Sequence, residues 1–297
     1  MKLSGTITAL VTPFIDQKLD EKGLAHHIDW QITQGIDGLL LLGSTGESST
    51  LSEEEQQRMI HLAVHQACGK VPVWVGTGSY CTRQALEKTK RAKELGATIA
   101  LIVTPYYNKP TQEGIYRHFA TIASQVDIPI VVYNVPSRCG TNIETATLLR
   151  LVELPNIVGV KEASGNILQA GDILHAIRLK RPDFAVFSGD DALTLPMMAL
   201  GAVGIISVVS NLVPKEVVAL VQAASQGRFD LARKIHDQLL PLYKMAFIET
   251  NPIPIKTALH LCGMPSGECR LPLCPMSQEN TNALRQLLIR MQLLKEV

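Results

Sequence analysis

Eight short runs rich in β-branched and aliphatic residues recur along the first three quarters of this 297-residue chain, separated by longer amphipathic stretches. That rhythm constrains the fold more than any other feature. A strand that reads as a continuous apolar run is buried on both faces, and a helix-length crossover brings the chain back to pair the next strand in parallel. The runs predict strands near residues 6–11, 38–42, 73–76, 99–104, 130–133, 158–161, 185–188 and 203–208. Eight βα units suit a closed barrel of the α/β class, a (β/α)₈ TIM barrel, better than an open doubly wound sheet. The predicted barrel spans residues 1–225.

Helix starts are marked locally. Ser52 precedes Glu53-Glu54-Glu55, so its hydroxyl can cap a first turn whose acids suit the helix dipole. Thr82 and Thr111 invite the same reading. After about Gln226 the strand rhythm stops, and helical patterns punctuated by Pro241, Pro252 and Pro254 predict a C-terminal helical extension over residues 226–297. Asn251-Pro252-Ile253-Pro254 reads as the start of one of its helices.

Composition excludes several classes of function. With 46% hydrophobic and 19% charged residues the chain is neither disordered nor fibrous. A net charge of +1 offers no field for a nucleic-acid backbone or an anionic membrane, so no nucleic-acid and no membrane partner is expected. The opening residues, Met1-Lys2-Leu3-Ser4-Gly5-Thr6, lack the apolar run of a secretory leader, and no run reaches membrane-spanning length. Six cysteines without a C-x-x-C pair favour reduced thiols and a cytoplasmic location. Gly76-Thr77-Gly78 resembles a dinucleotide turn but has Cys81 where a third glycine belongs; His61 and His65 lack the intervening glutamate of a zinc motif. Neither a cofactor nor a metal is expected. Asp190-Asp191 after the seventh run would repel a phosphate, or one of the two simply caps the next turn.

Three segments carry chemistry. Lys161 ends the apolar run Ile157-Val158-Gly159-Val160, at the carboxyl end of a strand, where barrels keep their reacting groups. Burial there disfavours the ammonium and frees an amine that attacks carbonyls; the plainer alternative is a lysine that stretches to solvent. Tyr133 and Arg138 follow the neighbouring strand, offering a phenol for proton transfer and a guanidinium that grips carboxylates. Gly43-Ser44-Thr45-Gly46-Glu47 supplies two hydroxyls and glycine-exposed amides, a cradle for a small carboxylate or merely a tight βα turn. Tyr106 and Tyr107 close the fourth strand, and adjacent residues there point apart.

Gly43-Ser44-Thr45-Gly46-Glu47, Tyr133-Asn134-Val135-Pro136-Ser137-Arg138 and Gly159-Val160-Lys161-Glu162-Ala163 together resemble the N-acetylneuraminate lyase/dihydrodipicolinate synthase superfamily, over nearly the whole chain. The resemblance implies a Schiff-base barrel enzyme that takes pyruvate on Lys161. Arg138, with Tyr106-Tyr107-Asn108-Lys109-Pro110 and Ser188-Gly189-Asp190-Asp191, points to the dihydrodipicolinate synthase branch. That branch condenses pyruvate with L-aspartate 4-semialdehyde to 4-hydroxy-tetrahydrodipicolinate in diaminopimelate and lysine biosynthesis. By resemblance, Tyr133, Ser44 and a neighbouring subunit's Tyr107 form a proton path, Thr45 contacts the pyruvate carboxylate, Arg138 holds the carboxylate of the semialdehyde, and Gly189 and Ile206 line the pocket. The assembly is then a homotetramer, a dimer of dimers. The family commonly has threonine at position 44; serine keeps the hydroxyl but rotates more freely.

Two rivals remain at this point: an aldolase of the same superfamily acting on a sugar acid, which Arg138 argues against, and a non-catalytic binding protein on the same scaffold. In lysine-inhibited members that the chain resembles, inhibitor sits near positions matching Ser48, Ser49, Gly78, Tyr80, Gln84 and Tyr106. Asparagine and glutamate commonly stand there at 80 and 84, so weak or absent inhibition by L-lysine is expected.

Overall fold

The computed structural model describes residues 3–295; Met1, Lys2, Glu296 and Val297, on which the leader and extension readings partly rest, lie outside the described residues. Eight parallel strands form a closed barrel: β1 (Gly5–Ala9), β2 (Gly38–Leu41), β3 (Val73–Gly76), β4 (Ile99–Val103), β5 (Ile130–Asn134), β6 (Ile157–Glu162), β7 (Ala185–Ser188) and β8 (Gly204–Ser207). The ring shuts where β1 pairs with β8, from Gly5 opposite Gly204 to Thr8 opposite Ser207. Each strand falls within a residue or two of its expected place, because strands covered on both faces write their burial directly into the sequence.

Eight helices alternate with the strands: α1 (Glu21–Thr33), α2 (Glu53–Ala67), α3 (Thr82–Glu94), α4 (Gln112–Gln125), α5 (Thr145–Leu151), α6 (Ile167–Lys180), α7 (Thr194–Leu200) and α8 (Pro214–Ser225). Ser52 caps α2 in a reciprocal box with Glu55, and the Thr111 hydroxyl accepts from Gly114 N at the start of α4. Thr82 is not a cap. It is the first residue of α3, Cys81 holds the cap position without a side-chain bond, and the Thr82 hydroxyl lies 3.0 Å from His118 Nδ1. A partner on the next helix has taken the hydroxyl that local pattern assigned to the backbone.

The interior is filled by side chains from alternating strand positions, Ile7, Leu40, Trp74, Leu101, Val131, Phe187 and Ile206 among them, with Trp74 meeting Phe187 edge-on at 5.5 Å. Such a barrel is a packed core, so ligands are confined to its rim. After α8 come three further helices, α9 (Phe229–Met245), α10 (Ile253–Leu261) and α11 (Gln278–Arg290). The segment between α9 and α10 crosses the carboxyl rim of the barrel, where Phe247 through Asn251 help to wall a cleft. None of the described helices is long and apolar enough to cross a membrane.

Candidate active site

Strands β5 and β6 pair so that Tyr133 lies directly opposite Lys161. Neighbouring residues in a parallel pair project to the same face, and here the lysine Nζ rests 4.3 Å from the centroid of the phenol ring. Lys161 is only 5% exposed, which removes the alternative of a lysine stretched to solvent. Burial drives its pKa from the ordinary value down to about 7; the Asp191 carboxylate pulls upward, and the Arg138 guanidinium adds to the fall. Near neutral pH a substantial share of the amine is therefore free to attack a carbonyl carbon.

Burial pushes the Tyr133 phenol up to about 12, against the opposing influence of Arg138 and the Ser44 hydroxyl, so it stays protonated and can act as a donor. Asp191 lies inside the barrel wall; desolvation lifts it to about 6 although the Ser207 hydroxyl and the Val208 amide donate to it. Asp190 takes the plainer role, its side chain accepting from Ala192 N at the next turn.

Gly189 follows β7 at the spot where Lys161 passes. A methyl group there would lie 2.7 Å from Ala163 Cβ, 2.9 Å from Lys161 Cε and 3.0 Å from its Cγ. The glycine is a requirement of space: it leaves a slot for the lysine shaft.

The loop after β2 is pinned by two residues with left-handed backbone, Leu42 (φ 56°) and Glu47 (φ 51°). Between them Ser44 lines the cavities and Thr45 is buried, its Oγ1 receiving a 2.9 Å hydrogen bond from Asn251 Nδ2. Glu47 turns inward to a buried ion pair with Lys256 of α10 at 2.6 Å, and it also accepts from Arg270 N. Across the rim, a short helical turn at Pro136–Cys139 presents Arg138, whose Nη2 donates to the Asn251 carbonyl at 3.1 Å.

These elements enclose two adjoining cavities. One, of about 740 Å³, is lined by Ser44, Thr45, Tyr133, Arg138, Lys161 and Gly189; the other, of about 280 Å³, shares Ser44, Tyr133 and Arg138 and adds Tyr106. Six of the eight residues singled out in the sequence thus meet at one cleft. Ile206 stands apart from the cavity linings, fully buried in the interior cluster that also holds Tyr133. Tyr107 also stands apart: it is 90% exposed, with φ of 71°, and lines neither cavity. Sequence reasoning missed Asn251, which lies 206 positions from Thr45, and it missed Lys256 as the partner of Glu47. A lysine inside the apolar pattern of Ile253–Leu261 was the available signal for the second.

Fold and site define a barrel enzyme with a nucleophilic amine at its rim, set for chemistry on small carbonyl acids. A sequence model described as the dihydrodipicolinate synthetase family matches residues 2–291, and the chain belongs to that family. It is 55% identical over 97% of its length, and 96% of the relative's, to a 4-hydroxy-tetrahydrodipicolinate synthase of Protochlamydia amoebophila. The solved dihydrodipicolinate synthase of Thermotoga maritima superposes with a TM-score of 0.97 at 42% identity, covering 99% of this chain and 100% of that one. A chain described as a monomeric dihydrodipicolinate synthase variant matches equally well, with a TM-score of 0.97, 42% identity, and coverage of 99% and 98%.

Proposed function

We propose that the chain is a 4-hydroxy-tetrahydrodipicolinate synthase, a lyase that condenses pyruvate with L-aspartate 4-semialdehyde in the diaminopimelate route to lysine. The observation that carries this reading is Lys161: buried, shifted to about 7, and flanked by a protonated phenol and a guanidinium in one cleft.

In this mechanism the Lys161 amine attacks C2 of pyruvate, and loss of water from the carbinolamine leaves an imine. Tyr133, held protonated, donates to the departing oxygen, and Ser44 relays a proton from solvent back to the phenolate. Thr45 holds the pyruvate carboxylate. Loss of a C3 proton gives the enamine, whose C3 attacks the aldehyde carbon while Arg138 grips the carboxylate of the semialdehyde. The amino group of the second substrate then attacks C2, closes the ring and expels the lysine amine. One water is lost overall.

Tyr107 enters through assembly. It lines neither cavity of its own subunit, and in the proposed homotetramer, a dimer of dimers, it completes the proton path of a neighbour. The monomeric relative is a reminder that assembly varies on this fold. A cytoplasmic enzyme is proposed, in keeping with six free cysteines.

The test is borohydride reduction with pyruvate followed by peptide mapping: one adduct is expected, at Lys161. An adduct at Lys256, or at no lysine, would falsify the Schiff-base assignment. Arg138→Ala separates the sugar-acid alternative: turnover with the semialdehyde collapses while trapping survives, its pH midpoint raised because a cation beside Lys161 is gone. Loss of trapping with aldehyde affinity intact would reverse the assigned role.

A further inference from the structure

Thr45 and Arg138, the two proposed carboxylate holders, come from loops 93 positions apart, yet they share one partner. Asn251 gives its side-chain Nδ2 to Thr45 Oγ1 at 2.9 Å and takes Arg138 Nη2 on its backbone carbonyl at 3.1 Å. It is 4% exposed and borders both cavities. Its own Oδ1 is buried without a protein partner, so the amide is placed for the bond to Thr45 at the expense of its other half.

The direction of that bond matters chemically. A threonine hydroxyl has one proton and two acceptor lone pairs. An amide N–H occupying a lone pair leaves the proton free, and no protein acceptor for it is found among the described residues. It is available to a carboxylate oxygen in the cleft. The backbone bond does similar work on Arg138: a long side chain loses rotamer freedom before substrate arrives rather than on binding. Two residues later α10 begins, and its Lys256 is bound to Glu47, so the segment carrying Asn251 is fastened at both ends to the loop it orients.

We infer that Asn251 is a positioning residue: its side chain fixes the Thr45 hydroxyl as a donor to pyruvate, while its backbone carbonyl, which substitution leaves in place, holds Arg138 ready for the semialdehyde. This inference rests on the proposed condensation. Its experiment uses half-saturating pyruvate in borohydride trapping, steady-state constants for both substrates, and thermal midpoints for Asn251→Ala, Asn251→Asp, Thr45→Val and the Asn251→Ala/Thr45→Val pair.

Asn251→Ala releases the hydroxyl, and the pyruvate requirement rises about fivefold to tenfold with a smaller change in kcat. Asn251→Asp keeps size and backbone but accepts the threonine proton and sets a negative charge beside the substrate carboxylate. Its pyruvate requirement rises about a hundredfold with the midpoint nearly unchanged. In the Thr45→Val background the alanine change adds less than twofold to the pyruvate requirement, because the two residues act as one unit. A merely structural Asn251 gives the opposite order: aspartate tolerated, alanine damaging in either background and in proportion to lost stability. That order, or a wild-type pyruvate requirement in Asn251→Asp, overturns the inference. Absence of trapping at Lys161 in the unaltered enzyme overturns the functional reading instead, so the two failures are distinct. Should Asn251→Ala fail to fold, Asn251→Asp against Thr45→Val decides alone.

Discussion

Gly189→Ala adds a single methyl group and is expected to cripple the enzyme without unfolding it. The new Cβ would stand 2.9 Å from Lys161 Cε, whereas ordinary contact begins at 3.4 Å, so the shaft must retreat by about 0.5 Å; Ala163 must give about 0.7 Å. A misplacement near 1 Å at a reacting centre costs about a hundredfold in rate, which puts this shift at roughly tenfold to a hundredfold. The same overpacking costs only about 1–3 kcal/mol of stability. Rapid-quench borohydride trapping with saturating pyruvate reads the imine step directly, and urea unfolding reads the fold. The expected result is a fall in trapping rate that matches the fall in turnover. Trapping and turnover within twofold of the unaltered enzyme would refute the steric argument, and so would a loss explained wholly by unfolding.

Three other expectations follow from the geometry. Because the Lys161 pKa lies at about 7 and only the neutral amine attacks, the trapping rate should fall about tenfold per pH unit below that value and level off above it; a flat profile between about pH 5 and 9 would contradict the desolvated lysine. Lys256→Met strands the buried Glu47 carboxylate and is expected to cost about 3–5 kcal/mol in urea unfolding, part of it recovered by adding Glu47→Gln; a loss below about 1 kcal/mol would show that the pair is idle. Free L-lysine should inhibit weakly or not at all, since the cleft bordered by Ser48, Ser49, Tyr80, Gln84 and Tyr106 has a neutral amide at 84, already accepting from the Ser79 hydroxyl at 2.8 Å. Inhibition at submillimolar lysine would mean that an acid such as Glu53, on the same wall, replaces the missing charge.

What the sequence disclosed and what it withheld divide along a physical line. The eight strands were legible because burial on two faces leaves an unbroken apolar run, and Lys161 was legible as the charge that interrupts one. The Ser52 cap was legible because its partner, Glu55, is three residues away. Thr82 misled for the converse reason, since its hydroxyl is engaged by His118 on another helix. Asn251 on Thr45, Lys256 on Glu47 and Asp191 against Ser207 are pairings of the closed fold, and no local pattern in one sequence announces them. Tyr107 is the limiting case: the resemblance gave it a role, yet one subunit leaves it in solvent.

The clamp between the loop after β2 and the segment around α10 also bears on how the enzyme is made. When the ribosome has delivered residue 225, all eight strands, Lys161, Tyr133, Arg138 and Thr45 exist, but Glu47 has no cation to meet and Thr45 no amide. A barrel shut at that moment would lack both holds on its β2 loop, Lys256 and Arg270 N for Glu47 and Asn251 for Thr45. Full activity should therefore appear late in translation, only after residues 251–270 have emerged.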